Sequence, residues 1–209
     1  MEKEFLELYK ATKIEIENNN NELIKKIRNN PTLDSVECLS IHFSSCLCED
    51  IEFVLELMEK NYSDRYVYSV IRNICEQIIE YKYLCKHNKY IKEYYGDKIH
   101  DKYLKKTTDV KKLKALMGDD RYSIKRNIRE WAKDLDEDNE SDSDVNDDMS
   151  LYTIYQLSST EYHQSYFNEI VDLISEVEKE QEDDRELVFI MLIFLLMKFM
   201  DSYNNCVNC

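Results

Sequence analysis

The stretch Asp64-Arg-Tyr-Val-Tyr-Ser-Val-Ile-Arg-Asn-Ile-Cys-Glu-Gln-Ile-Ile-Glu-Tyr-Lys-Tyr-Leu-Cys85 decides the fold. Within it Val67, Val70, Ile71, Ile74, Ile78, Tyr81 and Cys85 recur at steps of three and four, which sets them on one face of an α-helix. Asp64 stands where an N-cap belongs. What surrounds this helix is equally short of turn residues. Average usage would give about fifteen glycines and ten prolines in a chain of this size, and the sequence holds two and one. Sheets and sandwiches need those residues at their reversals, so long helices joined by short Asn, Asp and Ser links are the expected architecture. The 209 residues bound one sizeable core rather than two.

Outward from the central helix the pattern repeats. Phe5, Tyr9, Ile16, Leu23 and Ile27 give a first helix over about Glu2 to Arg28, which the run Asn18 to Asn21 is expected to break. Pro31 sits at the first turn of a second helix, whose stripe of Val36, Leu39, Phe43, Leu47, Val54 and Leu57 lasts to about Lys60. Further helices are expected over Lys89 to Tyr95, ahead of Met117-Gly118, over Ser123 to Leu135, in short turns at Leu151 to Leu157, and over Ser165 to Glu180 and Asp184 to Tyr203. The sum is an all-α, single-domain bundle of seven or eight helices: N-terminal helices in 1–60, a core bundle in 61–135 and 149–204, and a mobile acidic loop in 136–148. The apolar run Leu187 to Met197 covers eleven residues, well short of the roughly twenty that cross a bilayer. No membrane partner is expected.

Seven cysteines, an odd number, and a charged opening Met1-Glu2-Lys3-Glu4 point to a reducing cytoplasmic compartment rather than a disulfide framework. The net charge is −15, but nine acidic residues fall between Asp134 and Asp148 with no Lys or Arg, while Lys98 to Arg129 holds eleven basic residues against four Asp. Tyr103, Tyr122 and Trp131 punctuate or border that basic stretch, the strongest nucleic-acid signal in the chain. Its plainer reading is a solvated face, or an internal partner for the acidic run that follows. That run is expected to compete with phosphate for the basic stretch.

Chemistry has three candidate places. Arg72 and Glu76 lie one turn apart on the central helix, with Tyr83 two turns beyond Glu76. They are either an exposed ion pair, worth about 0.3 to 0.5 kcal/mol, or the lining of a cleft. His163 follows Ser158 and Ser159 and lies between Tyr162 and Tyr166, where an imidazole serves structure or acid–base work near neutral pH. Cys38, His42 and Cys46 recur at steps of four, and Cys48, Cys206 or Cys209 could add a thiolate. Cysteine on such a helix is more commonly a small buried hydrophobe, and no metal or other cofactor is assigned. No glycine-rich phosphate loop occurs.

The segment Ser69 to Leu84, with Arg72, Glu76 and Tyr83, together with Leu151 to His163, with Tyr155, Ser158 and Ser159, and a hydrophobic last helix, resembles an uncharacterised bacterial family of all-helical proteins. Its members pair an Arg-x-x-x-Glu helix with a later Tyr, Ser and His segment. The likeness covers about Tyr66 to Tyr203. More remotely the chain is similar to the HEPN group, helical bundles that include ribonuclease toxins and phage-defence effectors. The resemblance implies action on RNA in a bacterial stress or phage-defence system, with an antitoxin or other protein as partner; exposed helix faces also leave room for a homodimer. In that reading Arg72 stabilises phosphate, His163 is the acid or base, and Glu76, Tyr83 and Ser159 bind and orient. HEPN nucleases carry Arg four to six residues ahead of His on one helix, and none of His42, His87, His100 and His163 has such an Arg. The pairing would have to come from separate helices. The alternative is a non-catalytic protein-interaction module.

Overall fold

The computed structural model describes residues 2–29, 36–91, 127–137, 150–160 and 181–207. Six α-helical segments carry them: α1 (Glu2–Asn29), α2 (Val36–Glu59), α3 (Asp64–Lys86), α4 (Ile128–Glu137), α5 (151–160) and α6 (Gln181–Val207). A 3-10 turn, Asn88–Tyr90, follows α3, and no strand occurs among the described residues. The class is therefore all-α. The count is lower than the seven or eight expected, and the helices expected within 92–126 and 161–180 lie outside the described residues. So do Pro31, Gly96 and most of the acidic run.

The central helix is central because its apolar stripe is wide. Val67, Ile71, Ile74, Ile78, Ile79, Tyr81 and Leu84 are all buried, and α3 packs against α2, α4 and α6. Asp64 proves to be the first helical residue rather than the cap, which is Ser63. There its carboxylate meets the positive end of the helix dipole. The seam between α2, α3 and α6 is aromatic. Tyr81 lies 5.6 Å from Phe43 and 5.0 Å from Phe199, and Phe199 lies 5.5 Å from Tyr203, centroid to centroid. Rings at such distances add about 0.5 to 1.5 kcal/mol per pair to their burial. The buried Tyr81 hydroxyl is satisfied by Ser40 Oγ at 2.8 Å.

The reversal from α2 to α3 is made without glycine. Asn61 adopts φ 51°, its N–H donates to Met58 O at 3.2 Å, and the N–H of Tyr62 donates to Leu57 O at 2.9 Å. This pair of bonds is the Schellman motif, with Asn in the left-handed position that it tolerates better than other residues bearing a Cβ. Arg185, at the start of α6, also donates to Met58 O at 2.7 Å, placing a cation at the negative end of α2.

α1 does not break at its asparagines; it runs unbroken to Asn29. Asn20 Nδ2 donates to Ser44 Oγ on α2 at 2.9 Å, and Asn20 Oδ1 accepts from the Tyr203 hydroxyl on α6 at 2.9 Å. Tertiary hydrogen bonds therefore override the poor helix propensity of the run. α6 buries Val188, Phe189, Met191, Leu192, Leu195, Leu196, Phe199 and Tyr203. The apolar run is thus a core helix. No helix among the described residues is long and apolar enough to cross a membrane.

Candidate functional site

Two polar clusters on α3 concern the candidate residues, and they lie at different heights. Near its middle, Arg72 Nε donates to Glu76 Oε1 at 3.1 Å, with side-chain exposures of 29% and 15%. These two side chains are half-buried, not a solvated surface pair. The reason is α5. Arg72 Nη2 lies 3.4 Å from the Tyr155 hydroxyl, and its guanidinium sits 5.3 Å from that ring's centroid. α5 is further held by the Cys75 thiol, which donates to Leu151 O at 3.2 Å. Arg72 thus braces α3 to α5, a role in which a cation–π contact contributes about 0.5 to 1 kcal/mol. Tyr155 was within the recognised segment but carried no assigned role.

Ser159 lies on α5, and its hydroxyl donates to Tyr155 O at 2.6 Å, one turn back in its own helix. Ser158 does the same to Ile154 O at 2.7 Å. A serine bonded in this way has its proton committed to the backbone. His163 lies outside the described residues, as does the stretch from Lys98 to Arg126. On α2, Cys46 Sγ is 3.9 Å from His42 Nδ1. No group of three or more His, Cys, Asp or Glu side chains that could hold a metal ion occurs among the described residues.

Tyr83 is not beside Arg72. Eleven residues at about 1.5 Å per residue separate the two along the axis by roughly 16 Å, and Tyr83 belongs to a second group at the C-terminal end of α3. Its ring stacks on Trp131 of α4, centroids 4.5 Å apart and planes within 7°. On its other flanks are His87 at 4.4 Å and Tyr90 at 6.3 Å. α4 presents Trp131 because Ile128, Trp131, Ala132 and Leu135 form the stripe that it buries.

The same packing brings Asp134 to the end of α3. His87 Nε2 lies 3.0 Å from Asp134 Oδ2, and Lys86 Nζ lies 3.0 Å from both that oxygen and Asp134 O. The hydrogen bond to His87, then that to Lys86, holds the Asp134 carboxyl below the usual carboxylate range. Burial among the rings pushes the Tyr83 phenol up. The Asp134 carboxylate fixes the orientation of the His87 ring, an arrangement in which an imidazole can take part in acid–base chemistry. Lys89, over the Tyr90 ring at 4.9 Å, adds a second cation.

His87 has no arginine four to six residues ahead of it, so no local motif marks it in the sequence. The partner is an aspartate 47 positions later, and the local signal was only the i,i+4 spacing of Tyr83 and His87. No family model matches the chain, and neither a curated protein nor a solved structure matches it.

Proposed function

We propose that the protein acts on RNA, as its HEPN resemblance implies, in a bacterial stress or phage-defence setting. In this reading the working site is the end of α3 and α4 rather than a meeting of Arg72 with His163. One observation carries it: a histidine oriented by a carboxylate, His87 on Asp134 at 3.0 Å, beside a lysine and a stack of aromatic rings. Phosphodiester cleavage needs a group to move a proton, a cation to hold phosphate and a surface on which bases stack. His87, Lys86 with Lys89, and Tyr83 with Tyr90 supply one of each. In sequence the basic stretch ends at Arg129, within the first turn of α4, and such a stretch attracts phosphate.

A second reading, the non-catalytic interaction module, draws on the other group. Arg72, Glu76, Tyr155 and Ser159 satisfy one another or their own backbone, as structural residues do. Incubation of the full chain with labelled single-stranded RNA, resolved on a denaturing gel, separates the two. His87→Gln is expected to slow cleavage by about 100-fold or more with the thermal midpoint shifted by only a few degrees. Arg72→Ala is expected to cleave normally at a temperature below its lowered midpoint. Cleavage by His87→Gln at the wild-type rate would remove the end of α3 and α4 as the working site, and an intact chain that neither binds nor cuts RNA would leave the interaction module.

A further inference from the structure

Behind the proposed RNA site, between the C-terminal ends of α3 and α6, lies a cavity of about 650 Å³. Two thiols open onto it. Cys85 on α3 and Cys206 near the end of α6 place their sulfurs 3.1 Å apart, one thiol donating to the other. That is about 1 Å more than the separation of bonded sulfurs. Both residues are half-buried. The cavity wall also carries Lys82 and Lys86 from α3 and Glu37 from the start of α2.

We propose that Cys85 and Cys206 are a redox-active dithiol that reacts with a low-molecular-weight disulfide bearing carboxylate groups. The cavity has the volume of a small-molecule site. The Lys82 ammonium and the Glu37 carboxylate on its wall suit a ligand of amino-acid or short-peptide character. Cys206 is the attacking thiol. The S–H of Cys85 pulls its pKa below the usual cysteine range, to about 7, a fall that burial opposes and the Tyr81 hydroxyl assists. The hydrogen bond with Cys206, and then burial, raise that of Cys85.

The exchange proceeds in two balanced steps. The Cys206 thiolate attacks one sulfur of the disulfide, the S–S bond of the ligand breaks, and the first small thiolate leaves. That thiolate takes the proton of Cys85. The Cys85 sulfur then attacks Cys206 Sγ, forming the protein disulfide and expelling the second small thiolate. The protein dithiol is oxidised by two electrons, and the ligand is reduced to two thiols. The new bond would close a span of 121 positions between α3 and α6.

Glutathione disulfide is the probe, with 2-hydroxyethyl disulfide as an uncharged comparator. Reduced full-length protein is treated with each, quenched with acid and mapped by mass spectrometry without reduction. The Cys85–Cys206 cross-link is expected before any other oxidation among the seven cysteines, with a rise in thermal midpoint of roughly 10 °C. Cys85→Ser should stop at the mixed disulfide on Cys206, and Cys206→Ser should give neither product. Glutathione disulfide should react about ten-fold faster than the neutral reagent, and Lys82→Gln should shrink that preference. Indiscriminate oxidation of the cysteines in the wild-type chain overturns the dithiol, even if a serine variant fails to fold. Equal rates with the two reagents overturn the carboxylate-bearing ligand.

Discussion

Asp134 shows how one side chain can join two elements and set the state of a third group. Its carboxylate accepts from His87 and Lys86 on α3 while belonging to α4. Because its folded-state pKa is lowered, its stabilising effect is complete above the unfolded value of about 3.9 and disappears as pH falls through the folded value. Asp134→Asn should therefore lower the thermal midpoint slightly at pH 7, and the two proteins should converge as the solution is acidified below pH ~3.9. The effect stays within about 1 kcal/mol, since the carboxylate is 40% exposed. Asn20 works in a drier setting. Asn20→Ala would remove the nearer acceptor of the Tyr203 hydroxyl and leave it Ile16 O at 3.4 Å, and a loss of about 0.5 to 1.5 kcal/mol in urea unfolding is expected. In the double variant with Tyr203→Phe the two losses should add to less than their sum.

Among the elements, the joint between α2 and α3 carries a testable peculiarity, a left-handed Asn61 in place of glycine. Asn61→Gly should leave stability unchanged or improved, whereas Asn61→Ala should cost about 1 to 2 kcal/mol, read from urea midpoints. Helix existence was legible in the sequence because its determinants are local. The Val67 to Leu84 stripe announces α3, and the Leu39, Phe43, Leu47 spacing announces α2. What was not legible depends on partners far away in sequence. The asparagine run looked like a break since Ser44 and Tyr203, 24 and 183 positions off, are invisible to a local window. Tyr83 was grouped with Glu76 on helical spacing alone, while Trp131 and His87 give it a different neighbourhood. Cys206 was legible only as a candidate extra thiolate beside Cys38, His42 and Cys46, and it is a helical residue against Cys85.

At the scale of the molecule, opposite charge blocks flank α4. If the acidic run competes with phosphate, deleting 138–148, which spares the helix ending at Glu137, should raise RNA affinity several-fold in about 50 mM salt. The gain should vanish in about 500 mM salt, and an unchanged affinity in titration by fluorescence anisotropy would rule out the competition. Burial, by contrast, is shared by almost every element: α1, α2, α3, α4, α5 and α6 all contribute to one connected hydrophobic cluster. The described residues hold aromatic rings at most of the helix crossings.

The Tyr203 hydroxyl reaches back to Ile16 O at 3.4 Å, across 187 positions. During synthesis α1 meets α2 early, but the part of its inner face that packs on α6 stays uncovered until that helix has been made. Long-range closure of this kind slows folding and leaves an early intermediate sticky. Chains arrested ahead of α6 would lack the Phe189 ring that lies 5.6 Å from Phe5 and would present that apolar end of α1 to chaperones and proteases.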